Sequence, residues 1–287
     1  MTPAVVIGAL LACGIAVALA WKWQLGVRRT SIAIVLVAAA GAAIVTLLDG
    51  AVGLHALLAA ALVFGFTVVV AAASVAYRFY RDPERVVPQD EGAIVSPADG
   101  EVLYVRESRG GALPVVSKLG RDYTLEELTR TPLASEDAVV IGIGLSFLDV
   151  HVNRAPVGGR IALQRRFPGR FGSLRRPEMV FENERATLVI ERDGFEVAVV
   201  MIASRLVRRI VTYLSEGDRV AAGQRIGMIR FGSQVDLVLP VREDLRVDVR
   251  SGDRVVAGES IVARVESLSA RAAAAGRDPT ASVRAPS

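Results

Sequence analysis

The chain has 287 residues, a formal net charge of +4, 52% hydrophobic and 22% charged residues, and a mean hydropathy of +0.42, too apolar for an ordinary soluble enzyme. A pI near 9.6 does not point to nucleic acid, because much of the basic surplus flanks apolar runs and is not gathered on a folded face with aromatics. Cysteine and histidine are limited to Cys13, His55 and His151, which excludes an intramolecular disulfide and a zinc-type ligand cluster, so no metal is expected.

Residues 3–20, 31–48 and 51–77 contain no Asp, Glu, Lys or Arg, and each run is about long enough to cross a bilayer, which takes roughly 20 residues. The first run lacks a basic leader and is followed by Trp21-Lys22-Trp23, a border suited to a membrane interface and not to a cleaved signal peptide. Residues 1–80 are therefore expected to form a membrane anchor of about three helices. Lys22, Arg28 and Arg29 occupy the first connector and Arg78 and Arg81 follow the third run, whereas the Asp49-Gly50 connector has no positive charge. The positive-inside rule then puts the protein in the cell membrane with its large domain on the cytoplasmic side.

From residue 81 to 266 the pattern changes to short β-branched runs between Gly, Pro and Asp: AIVSP, GEVLYV, AVVIGIGL, ATLVIE, FEVAVVMIA, RIVTYL, GMIRF, QVDLVLP and SIVARV. Such spacing predicts a mainly β domain. TLEELTRT (124–131) is the helical exception, with Thr124 and Glu127 at capping-box spacing. GDRVAAGQRIGMI from Gly217 and GDRVVAGESIVAR from Gly252 form an internal repeat, pairing Gly217 with Gly252, Val220 with Val255, Gly223 with Gly258 and Ile226 with Ile261. The expected fold is a barrel-sandwich-like domain of two related hairpin halves. Residues 267–287, poor in bulky apolar side chains, read as a disordered tail.

Lysine is scarce: only Lys22 and Lys118. Neither lies in or between the repeats, so a biotinyl or lipoyl carrier is excluded. Pyridoxal phosphate also needs a lysine anchor, so chemistry on an amine here would require another carbonyl.

Five segments in a consistent layout, YRDPERVVP (80–88), SPADGEV (96–102), DVHVNRAPVGGR (149–160), FENER (181–185) and GMIRFGSQVDLVLP (227–240), resemble the short-form phosphatidylserine decarboxylases over nearly all of residues 78–266. The resemblance implies a proenzyme that cuts itself between Gly232 and Ser233 and converts Ser233 into a covalent pyruvoyl group, its only cofactor. The two products would remain together as a heterodimer acting on a phospholipid at the membrane, with further oligomerisation left open. Gly232, lacking a Cβ, lets a hydroxyl approach its carbonyl.

His151 is the one histidine outside the apolar segments and hence the candidate base. The family pattern suggests Asp99 as the carboxylate that orients it; Asp149 competes, because residues two apart on a strand face the same way. Arg170-Phe171-Gly172-Ser173 duplicates Arg230-Phe231-Gly232-Ser233 letter for letter, but it sits in an arginine-rich loop without a strand before it, so the second copy is the expected cleavage site. The cluster Arg165, Arg166, Arg170, Arg175 and Arg176 is a candidate for a lipid phosphate, and motif resemblance adds Asn153, Arg154 and Arg185 as substrate-site candidates. Two departures are noted: Gln234 stands where short forms commonly have arginine, and the segment before His151 lacks the second histidine of long forms. The alternatives are a decarboxylase of another serine-headed lipid, such as archaetidylserine, and a non-enzymatic membrane-fusion adaptor. The adaptor should carry a coiled-coil hairpin, and the chain has no heptad stretch.

Overall fold

Uncharged runs of this length can satisfy their backbone polar groups in lipid only by forming helices. The computed structural model describes residues 2–22, 27–114, 123–174, 176–204, 210–229 and 233–268; Lys118, Arg175, Gly232 and the tail from residue 269 lie outside the described residues. The chain divides into one unit of Met1–Arg81 with Ser146–Asp149, and another of Asp82–Leu145 with Val150–Ser287.

In the first unit, α1 (Pro3–Lys22), α2 (Val27–Val52) and α3 (Ala56–Tyr80) are each long and apolar enough to cross a membrane. They make the protein membrane-associated. Val5, Ala42, Val45, Ala59 and Val63 form their buried contact, and a Cβ on Gly8 would strike the Ala60 carbonyl; small residues allow the close backbone approach on which helix packing in lipid depends. Helix α2 runs past the expected stop at residue 48, so Asp49 and Gly50 belong to its last turns and not to a connector. The reason is local: Asp49 accepts the Leu54 N–H at 2.9 Å, and Gly53, at φ +65°, supplies the left-handed residue that ends a helix.

The second unit comprises β1 (Ala93–Val95), β2 (Gly100–Ser108), β3 (Ala112–Leu113), β4 (Tyr123–Thr124), α4 (Leu125–Thr129), β5 (Ala138–Leu145), β6 (Val152–Arg154), β7 (Gly159–Phe167), α5 (Met179–Glu182), β8 (Arg185–Arg192), β9 (Phe195–Ala203), β10 (Ile210–Thr212), β11 (Arg219–Val220), β12 (Arg225–Ile229), β13 (Ser233–Pro240), β14 (Leu245–Val247), β15 (Arg254–Val255) and β16 (Ile261–Val265). AVVIGIGL and FEVAVVMIA are β5 and β9 residue for residue. The capping box of α4 forms as read, with the Thr124 hydroxyl accepting the Glu127 N–H and the Glu127 carboxylate accepting the Thr124 N–H.

The large sheet has the order β11-β7-β8-β9-β13-β5-β2-β15, and two smaller sheets have the orders β1-β16-β14 and β10-β12-β6. The long order is symmetric about its central pair: β11 matches β15, β7 matches β2, β8 matches β5, and β9 matches β13. Backbone bonds repeat the symmetry. Val95 N–H donates to Pro156 and Arg154 N–H to Pro97, each at 2.9 Å; Gly258 donates to Ser96 and Gly223 to Ala155, each at 2.8 Å. Gly217 and Gly252 share φ values of +93° and +95°, and Gly223 and Gly258 share +74° and +76°, conformations that require glycine. The two related halves read from the sequence are thus a pseudo-twofold pair.

One detail of the repeat changes. Ala155 N–H bonds to the Gln224 carbonyl, whereas Ser96 N–H, its equivalent, bonds to that of Ser260, so the second copy carries one extra residue after its glycine. The partner of Ile226 is therefore Val262 and not Ile261, and both Ile226 and Val262 are completely buried. Ile94, Val102 and Ile141 from one half and Ile161, Leu188 and Ile226 from the other share a single core.

Candidate active site

Ser233 opens β13, the central strand, and pairs with Leu145 of β5 on one side and Ala203 of β9 on the other. β12 ends at Ile229, whose N–H donates to the His151 carbonyl at 3.2 Å. The segment joining Ile229 to Ser233 spans at most about 14 Å even when extended. The backbones of His151 and Ser233 therefore lie within roughly 20 Å of each other, and His151 is completely buried.

Symmetry isolates the unusual residues. In the equivalence that pairs Val95 with Arg154 and Val102 with Ile161, Asp99 falls opposite Gly158 and His151 falls opposite Gly92. At both positions one half carries an acid–base side chain where the other has none. Asp99 Oδ1 accepts the Ala257 N–H at 2.8 Å; in the other half a Cβ on Gly158 would lie 3.5 Å from the nitrogen of Ala222, the matching residue. The shared turn thus offers the same N–H twice, and a carboxylate uses one of them.

Asp99 has a second partner that the sequence reading missed. Arg85 Nη2 donates to both carboxylate oxygens at 2.9 Å, and the two side chains are 10% and 12% exposed. A charge-assisted pair so little hydrated is strong and fixes the carboxylate plane. Arg85 belongs to a strap in which Asp82 pairs with Arg154 and Arg225, and Glu84 with Arg225. Asp149 accepts the Ser146 N–H at 2.7 Å within the Ser146–Asp149 turn.

The candidates for substrate contact divide. Arg154, 4% exposed, donates to the Gly223 and Pro83 carbonyls and to Asp82, tying strap to hairpin; burial lowers its pKa. Arg185, 1% exposed, donates to the carbonyls of Glu127, Leu128 and Asn183, closing the carboxyl end of α4, and burial lowers its pKa to about 10. Asn153 is completely buried and donates weakly to Pro97 at 3.4 Å. Arg165 and Arg170 are largely exposed, near Glu216 and Glu182 respectively, and Arg166 pairs with Glu184.

The duplicated Arg-Phe-Gly-Ser acquires a structural explanation. Asn183 accepts the Gly172 N–H at 2.7 Å and donates at 2.9 Å to the carbonyls of Gly172 and Ala203, and a Cβ on Gly172 would collide with Met179. The loop is thereby pinned to Ala203, the residue opposite Ser233. Its exposed Arg170 sits at the same end of the large sheet as Ser233.

A buried polar cluster lies under the start of β13. Tyr104 reaches across β5, where a Cβ on Gly142 would enter its ring, and its hydroxyl donates to Asp236 at 2.9 Å. Gln234 Nε2 donates at 2.7 Å both to the Tyr104 hydroxyl and to Asp236 Oδ1. Two glycines in the apolar strand β5 and one carboxylate in QVDLVLP were the available sequence signals.

Residues 72–263 match the family model described as phosphatidylserine decarboxylase. A protein of Methanothermobacter thermautotrophicus, provisionally named an archaetidylserine decarboxylase proenzyme, is 43% identical over 187 residues, covering 65% of this chain and 79% of its own. Proteins named phosphatidylserine decarboxylase proenzyme from Geotalea uraniireducens and Erythrobacter litoralis are 40% and 41% identical, covering 64% and 65% of this chain and 76% and 72% of theirs.

Burial raises the Asp236 carboxyl to about 6 from an ordinary 3.8, against the lowering effect of its hydrogen bonds from Gln234 and Tyr104. An acid raised on folding favours the folded state most where it is protonated, so this stability is complete below about 3.8 and gone above about 6. Asp236→Asn removes that titration. Between pH 4 and 7 the stability of wild type relative to Asp236→Asn should fall by roughly 2 kcal/mol, read from denaturant midpoints in detergent; a pH-independent difference would contradict the burial effect.

Proposed function

Because the chain belongs to the phosphatidylserine decarboxylase family, and is by that membership a membrane-associated decarboxylase of phospholipid metabolism, we propose that it matures by self-cleavage between Gly232 and Ser233 into a pyruvoyl enzyme. The observation that carries this reading is the location of Ser233 at the first residue of β13, one of the two central strands, with three residues between it and Ile229, whose N–H donates to the His151 carbonyl. The Ser233 hydroxyl attacks the Gly232 carbonyl and the amide becomes an ester. Loss of the Ser233 α-proton breaks the ester C–O bond, releasing the Gly232 carboxylate and leaving dehydroalanine. Water then displaces ammonia and a pyruvoyl group remains at position 233. His151 is the base for these proton transfers, oriented by Asp99.

The pyruvoyl carbonyl supplies an electron sink for an amine that loses carbon dioxide, the role that a lysine-bound cofactor plays elsewhere. The residues of the chain do the rest. His151, fully buried, holds the proton returned to the substrate carbon, and the exposed Arg165 of β7 and Arg170 of the pinned loop face a phosphodiester. Strand β13 keeps its ladders to β5 and β9 after the cut, which supports a heterodimer of residues 1–232 and 233–287. The substrate is phosphatidylserine and the product phosphatidylethanolamine, handled on the cytoplasmic side. Archaetidylserine, named for one relative, shares the serine head group, and comparing the two lipids as substrates separates them.

An intact-mass spectrum should show two chains, the smaller beginning at a pyruvoyl group. Ser233→Ala should leave one uncut chain, and Ser173→Ala should cut normally; the reverse pattern would overturn the cleavage site. Asp99→Asn should slow cutting by at least about tenfold relative to Asp149→Asn, judged by gel band ratio; the opposite order would make Asp149 the orienting carboxylate. Protease added outside sealed cells should spare the large domain, and digestion would reverse the orientation.

A further inference from the structure

Cutting before position 233 turns the middle of a chain into a strand end. Chain ends fray unless something other than their own covalent continuity holds them. On the self-cleavage reading, on which this inference rests, the fraying residue is the one that carries the reactive carbonyl, and reacting atoms displaced by about 1 Å lose much of their rate.

We propose that Tyr104, Gln234 and Asp236 are positioning residues that clamp the newly made end of β13, so that the carbonyl at position 233 stays in register after the chain is cut. Gln234 directly follows position 233 and is the second residue after the cut. Its side chain is 2% exposed and is held by two bonds of 2.7 Å, to the Tyr104 hydroxyl and Asp236 Oδ1. Tyr104 stands on β2, two strands from β13 in the order β13-β5-β2, and it crosses because β5 has Gly142 opposite Asp236 and Gly144 opposite Gln234. A side chain on Gly142 would occupy the space of the phenol ring, and one on Gly144 would press on Leu103.

Asp236 is completely buried. The charged groups turned toward it are Arg185 from β8 and Arg106 from β2, and the Arg106 guanidinium lies 4.1 Å over the Tyr104 ring. The clamp therefore links β2 to β13 by side chains across β5, at the level where β13 has lost its upstream backbone. It also explains how Gln234 serves in place of arginine: an amide can donate to the hydroxyl and the carboxylate together.

The test uses full-length protein in detergent, with intact mass measured first, then steady-state decarboxylation of phosphatidylserine. Tyr104→Phe and Gln234→Met should be fully cut, with kcat lowered about tenfold or more and KM within about twofold, the signature of a lost transition-state alignment. Asp236→Asn keeps an acceptor for both partners and should retain kcat within about threefold, whereas Asp236→Leu should match the other two losses. Unchanged kcat in cut Tyr104→Phe and Gln234→Met, or a rise in KM alone, would overturn the clamp. Folded variants that remain uncut would also overturn it, by moving the network to the cutting step. A wild-type chain that is never cut would overturn the self-cleavage reading and the clamp with it, which distinguishes the two failures.

Discussion

Two reciprocal backbone hydrogen bonds, from Val95 to Pro156 and from Arg154 to Pro97, join the halves of the β unit about one axis. The large sheet, the paired glycine turns and the larger of the two buried clusters are arranged about that joint, because each half leaves its apolar face open until the other covers it. The symmetry fails at two positions that carry titratable side chains. Asp99 and His151 occupy backbone positions that the opposite half fills with Gly158 and Gly92, so acid–base groups are placed on a frame whose geometry the duplicate already guarantees.

Charge organises the entrance to this frame. Asp82, Glu84 and Arg85 follow closely on the last membrane helix in sequence, and each is paired with a residue of the β unit. Most such pairs at a surface contribute little. Arg85 and Asp99 differ in being largely shielded from water, with one guanidinium nitrogen donating to both carboxylate oxygens and a further backbone N–H on the carboxylate. The anchor-proximal strap thus ends on a candidate catalytic carboxylate.

The loop that duplicates Arg-Phe-Gly-Ser shows how one short sequence serves two purposes. At Gly172 the side-chain amide of Asn183 satisfies both backbone groups and Met179 excludes a Cβ, which is a packing requirement. In the second copy, Ser233 opens a strand paired on both sides. Its surroundings make Gly172 a structural glycine, and it lies at the same end of the sheet as Ser233 because Asn183 also bonds to Ala203.

Sequence alone determined the membrane helices, the β character and the repeat, because each is written in local periodicity: apolar runs, β-branched runs and glycines at turn spacing. It also singled out Ser233, His151 and Asp99 through motif resemblance. The one-residue shift that pairs Ile226 with Val262, the internal use of Arg154 and Arg185, and the partnerships of Arg85 with Asp99 and Tyr104 with Asp236 were decided only by the tertiary structure. These contacts join residues up to 132 positions apart, and the sequence spells out no signal for which buried charge meets which partner. Desolvation and hydrogen bonding act between neighbours in space, and only the folded sheet makes Tyr104, Gln234 and Asp236 neighbours.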